Sequence, residues 1–145
     1  MSQSKSLEQY QLIQKHAIKA RSVFDLYGKE LDSNLFKNFP KGCCRYSCEL
    51  FGKWLQQNNI KNVEYVWGTK GSDYHAWLEV KDYILDITFD QFPENITKIY
   101  FSKNKNFYKQ FTNQKRVAIE LSKEFNKTYL GFEERMDDYD SSVGD

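Results

Sequence analysis

All three cysteines of the chain, Cys43, Cys44 and Cys48, fall within the stretch FPKGCCRYSCELFGKWL. A cysteine attacks as thiolate, and a free thiol gives up its proton near pH ~8.5. The partial positive charge at a helix start lowers that threshold, and so does a neighbouring imidazolium. Gly42 lets the backbone turn tightly ahead of the cysteines. The first N–H groups of the helix that follows lack intrahelical partners and can hold an oxyanion. Cys43 and Cys44 are therefore candidates for a nucleophile. Cys48 shares an apolar stripe with Phe51 and Leu55 and reads as packing. Cys43, Cys44, Cys48 and His75 lack C-x2-C spacing, and adjacent cysteines chelate awkwardly, so no metal site is expected. No cofactor is called for. An odd count with two cysteines side by side also argues against a disulfide framework.

A thiol nucleophile needs a base, and the chain has two histidines. His16 sits at the boundary of the apolar stripe of a first helix. His75, in DYHAWLEV, sits on a strand. An imidazole needs in turn a group that fixes its tautomer, usually a carboxylate. Asp86, in YILDITFDQF, is the natural candidate, and strand parity tests it. Side chains alternate along a strand, and cross-strand partners share a face. A turn at Lys81-Asp82 sets Val80 opposite Tyr83 and makes Asp86 the diagonal neighbour of His75. A turn at Val80-Lys81 sets the two opposite each other. Either way they share a face, with Ala76, Leu78, Val80, Tyr83, Leu85 and Ile87 on the other. An aspartate buried within YILDIT is costly without a partner, and His75 supplies one. Trp77 shares the His75 face and can shield the ring from water. Trp54, Trp67 and Trp77 read chiefly as core.

A Gly-x-Cys at a helix start, then HAW on one strand and Asp on the next, resembles the transglutaminase-like branch of the papain-like cysteine enzymes. The resemblance covers residues 39 to about 92. It implies that Cys44 is the nucleophile, His75 the base and Asp86 its orienting carboxylate. It implies a papain-like or transglutaminase-like core, with the nucleophile's helix packed on an antiparallel sheet and helices flanking it. It also implies amide chemistry through a thioester. Water then makes a protease or a glutamine deamidase, and an amine makes a transglutaminase; hydrolysis is favoured. Such enzymes often add a side-chain oxyanion donor, for which Gln91 and Tyr74 are candidates. The chain departs from the pattern in its second cysteine, Cys43, which is a second reactive thiol or a loop support. It departs again in the bulky Arg45 and Tyr46 after the nucleophile.

The elements that must position these residues are legible in outline. Residues 6–27 have helical apolar spacing, and Cys43 to Asn58 fits a second helix. VEYVWGT, YHAWLEV and YILDITF read as strands joined by hairpins, and TKIYFS as a fourth. Residues 113–127 read as another helix, with Val117, Leu121 and Phe125 in phase. The expected class is α+β, with one domain over 1–131. Residues 133–145 hold six acids and one arginine, so 132–145 reads as a mobile acidic tail.

The net charge of +1 favours no partner class. Between Lys98 and Lys127 eight Lys or Arg face only Glu120 and Glu124. A solvated face over an aromatic core explains that segment best. An alternative function uses it: a catalytically inactive binding module of the same fold that holds a protein or nucleic acid through 98–127. The acidic tail could also rest on it. A protein or peptide substrate is expected, with nucleic acid the weaker option and the oligomeric state open. No segment reaches ~18 apolar residues, and the N-terminus lacks a signal-peptide core. No membrane partner and a cytoplasmic location with reduced thiols are expected.

Overall fold

A computed structural model describes residues 2–143, with side chains over 5–140. The chain opens with α1 (Ser2–Leu31) and a one-turn α2 (Ser33–Phe36), then α3 (Cys44–Gln57). Strands β1 (Val63–Lys70), β2 (Asp73–Val80) and β3 (Tyr83–Asp86) follow. A 3-10 turn at Phe89–Gln91 leads to β4 (Tyr100–Ser102), and a second at Phe107–Gln110 to β5 (Thr112–Val117). The last element is α4 (Lys123–Val143). The architecture is α+β, built on one antiparallel sheet of five strands in the order β4-β3-β2-β1-β5.

The β2–β3 turn lies at Lys81-Asp82, with Val80 paired to Tyr83 and Leu78 to Leu85. Lys81 there takes a left-handed φ of 58°. That register divides the sheet's side chains as parity requires. One face, carrying Ala76, Leu78, Val80 and Leu85, joins Cys48, Phe51 and Leu55 of α3 in the main core. Each large apolar side chain fully buried there contributes roughly 1.5–3 kcal/mol. The other face carries Val66, Trp77 and Ile84, closed over by Tyr108 and Phe111. α1 and α4 pack against each other, with Phe24 stacked on Phe132 at 4.8 Å between ring centroids. Trp54 and Trp77 are buried, and Trp67 is half-buried.

Two expectations fail. Residues 113–127 are not one helix. Thr112–Val117 is an outer strand paired with β1, and the helix starts at Lys123. The Ser122 hydroxyl accepts from the Phe125 N–H at 3.1 Å and caps that start. The boundary at residue 132 also falls inside a continuous helix. Tyr129, Phe132 and Met136 are buried on one stripe of α4, while Glu134, Asp137, Asp138 and Asp140 face solvent. The acidic stretch packs on α1 rather than on the basic segment: Lys19 meets Asp140 at 2.8 Å and Arg135 meets Glu30 at 2.7 Å. Residues 144 and 145 of the expected tail lie outside the described residues. No helix is long and apolar enough to cross a membrane among the described residues.

Candidate active site

Gly42 has a φ of +76°, a left-handed backbone that only glycine adopts without strain. An added Cβ would meet nothing within 4 Å, so the requirement is conformational rather than spatial. The chain then turns through Cys43, the N-cap of α3, and Cys44 is the first helical residue. No side chain of the N-cap residue bonds the first turn. The N–H groups that point out of it are available to an oxyanion.

The three thiols have different surroundings. Cys43 is 1% exposed, and burial, with the neighbouring Cys44, pushes its thiol up to about 12. Cys48 is fully enclosed, and burial raises it well above the ordinary thiol range. Both are therefore thiols at neutral pH, and neither is a nucleophile there. Cys44 differs because it faces the imidazole. It lies beside the His75 ring and, after Asp86, favours the charged form of that ring.

His75 and Asp86 are both fully buried. His75 Nε2 lies 2.7 Å from Asp86 Oδ2. Burial alone would lower the imidazole, but the Asp86 charge and hydrogen bond, with help from Cys44, raise it to about 9. Burial likewise works against the Asp86 carboxylate. Its interactions with His75, Tyr108 and Thr88 outweigh this and hold it below the usual carboxylate value. The Tyr108 hydroxyl donates to Asp86 Oδ2 at 2.7 Å, and the Thr88 N–H donates to Oδ1 at 3.0 Å. The Thr88 hydroxyl adds a longer bond to Oδ1 at 3.3 Å. A buried carboxylate with this many donors stays ionised and keeps one orientation. It fixes the imidazole with Nε2 toward the carboxylate and Nδ1 toward Gln91.

The remaining candidates divide. Gln91 reaches the ring, but as a partner of the base. Its Nε2 lies 2.9 Å from His75 Nδ1 and donates to the Thr88 hydroxyl at 3.1 Å. It thus occupies the ring nitrogen that Asp86 does not. Tyr74 bonds the Tyr65 hydroxyl, and burial is the main reason its phenol rises to about 12. The same phenol feels both Cys44 and Arg45. Trp77 lies on the His75 face with ring centroids 5.6 Å apart, and it is fully enclosed. It shields the imidazole and offers no surface to a substrate. Phe92 and Phe111 close the ring from other sides, at 4.8 and 5.4 Å. His16 sits at the α1 boundary, edge-on to Trp54 at 4.8 Å, remote in the fold from this site.

Two contributors had no signal in the sequence. Tyr108 comes from a segment that reads as solvated and basic. Arg21 comes from the middle of α1 and is almost wholly buried. Its guanidinium takes both oxygens of Asp90, at 2.6 and 2.9 Å, and donates to the Ile87 carbonyl at 3.0 Å. It thereby pins the 3-10 turn that carries Gln91, and its charge also reaches Cys43. Tyr108 and Phe111 are buried, so the basic segment lacks two of the rings a base-stacking surface would use. No group of three His, Cys, Asp or Glu side chains is placed to hold a metal ion among the described residues.

Comparison with known proteins adds no relative: no family model, curated protein or solved structure matches the chain. What the fold and site define is an α+β protein in which a thiol at a helix start lies beside a buried imidazole–carboxylate pair.

Proposed function

We propose that the chain is a cysteine-dependent amide hydrolase of the transglutaminase-like kind, working through a thioester. The single observation that carries this reading is the buried His75–Asp86 pair with Cys44 beside the ring. A structural histidine needs one partner. This one is held by a carboxylate at Nε2 and also lies beside a thiol at a helix start.

In the proposed reaction the Cys44 sulfur, its proton already held by the His75 cation, attacks an amide carbon. The carbonyl π pair moves to oxygen and is held by the first-turn N–H groups of α3. The C–N bond breaks as His75 returns the proton to the leaving nitrogen, which departs as amine or ammonia. Water, losing a proton to His75, then adds to the thioester, and its collapse releases a carboxylic acid and the free thiol. Asp86 orients the ring and stabilises its cation throughout, without taking the proton. A peptide bond or a glutamine side chain can serve as the amide.

Intact-mass analysis after mixing with a panel of glutamine peptides and peptide esters tests this. An acyl adduct that maps to Cys44, decays in water and is absent in Cys44→Ala is the expected result. No adduct on any cysteine, with every substrate left intact, contradicts it.

A further inference from the structure

From Cys44 toward the open edge of the sheet, side chains on the α3 face remain accessible. Tyr74 is 38% exposed and lies within electrostatic reach of the Cys44 sulfur. Its ring sits 5.3 Å from that of Trp67, which is half-buried. Across the β1–β5 ladder Trp67 pairs with Lys115, and the ammonium lies 5.7 Å from the Trp67 ring centre. β5 is the outer strand, and each of its residues is exposed. Lys115 takes part in no ion pair among the described residues. Arg116 beside it is engaged with Glu79 and Glu64. A strip therefore runs from the nucleophile over two aromatic rings to one cation whose charge no carboxylate answers.

We infer that Tyr74, Trp67 and Lys115 form the acyl-donor subsite, and that it takes an extended peptide bearing a carboxylate side chain about three residues from the residue Cys44 attacks. Two inter-strand steps separate β2, which carries Tyr74, from β5. That distance is roughly 10 Å, about three residues of extended chain at ~3.3 Å each, counted from an attacked residue seated beside Tyr74. The rings take the intervening side chains, and Lys115 pairs with the carboxylate. Arg45 itself lines a cavity of about 440 Å³ in which four acids, Asp32, Glu49, Glu120 and Glu124, outnumber it. Those acids repel the same peptide and bias it toward the Lys115 side. This assignment rests on the reading of Cys44 as the nucleophile.

The test is binding to the full-length Cys44→Ala chain by fluorescence anisotropy, which needs no turnover. The probes are labelled glutamine peptides with Glu, Ala or Lys three residues before or after the glutamine. One Glu peptide binds on the order of tenfold more tightly than its Lys counterpart, and added salt shrinks the difference. Lys115→Glu, a surface change, inverts the order. Equal binding of Glu and Lys peptides, tighter binding of the Lys peptides, a preference unchanged in Lys115→Glu, or no binding of any peptide at millimolar concentration overturns the assignment. None of these outcomes touches the reactivity of Cys44 in the unmutated chain, so the two readings fail separately.

Discussion

Tyr108 and His75 converge on one carboxylate oxygen: each places a polar atom 2.7 Å from Asp86 Oδ2, the phenol from the second face's cover and the imidazole from β2. The phenol supplies what a strand neighbour cannot, a donor from outside the sheet that keeps the buried carboxylate charged. Removing it in Tyr108→Phe costs about 1.5–3 kcal/mol, the range for a hydrogen bond to a charged group. Urea unfolding at pH 7 measures this. Because Asp86 is held low, its contribution is present above its unfolded value and is lost as pH falls through the folded one. Tyr108→Phe raises the folded value, so acid unfolding begins at a higher pH than in the parent chain.

The two histidines are displaced in opposite directions. His75 is raised to about 9, with Asp86 and Cys44 outweighing burial. His16 is lowered to about 4, by burial first and then by Lys19 and Lys15 against the opposing Asp140. Proton NMR should show two imidazole titrations near those values and none near 6.5. The stability that His75 contributes is complete below its unfolded value near 6.5 and is lost as pH rises through about 9. That of His16 is present above the same value and is lost as pH falls through about 4. A His75 signal, assigned by its shift in Asp86→Asn, that titrates near 6.5 contradicts the buried ion pair.

Gln91 sits on the ring nitrogen that Asp86 leaves open, so its replacement reads out directly in the imidazole. Gln91→Glu places a carboxylate there and favours the cation. The His75 titration is expected to move above about 9, while that of His16 stays in place. An unmoved His75 midpoint means the side chain at 91 does not touch the ring in solution.

Arg21 joins α1 to the turn that carries Gln91. Arg21→Met leaves the Asp90 carboxylate without its fork and takes the guanidinium donor from the Ile87 carbonyl, at a cost of about 3–5 kcal/mol. Arg21→Lys recovers little, because a single ammonium cannot span both oxygens and still reach the Ile87 carbonyl. Urea unfolding of both variants checks this, and a lysine variant as stable as the parent refutes the role given to the fork.

The site's skeleton was legible because it rests on local rules. A glycine before adjacent cysteines marked the start of α3, and a two-residue turn at Lys81-Asp82 fixed the parity of His75 and Asp86. The residues that complete it follow no local rule. Tyr108 lies 22 positions from Asp86 in the chain, and Arg21 lies 69 from Asp90. Nothing near either one marks its partner. The β5 error has a similar origin. Val117, Leu121 and Phe125 have helical spacing, yet the backbone of 112–117 is claimed by β1. The cap at Ser122 was the local sign that the helix begins later. In α4 the run of acids masked a regular stripe of Phe125, Tyr129, Phe132 and Met136, and charge on one face does not prevent burial of the other.

The central claim is that Cys44 is activated by His75 while Cys43 and Cys48 are not. Iodoacetamide labelling at pH 6.5, resolved by peptide mass spectrometry, measures it directly. Cys44 is expected to label at least ~10-fold faster than either neighbour, and His75→Ala should abolish that lead. Labelling led by Cys43, or a Cys44 rate indifferent to the loss of the imidazole, contradicts the claim.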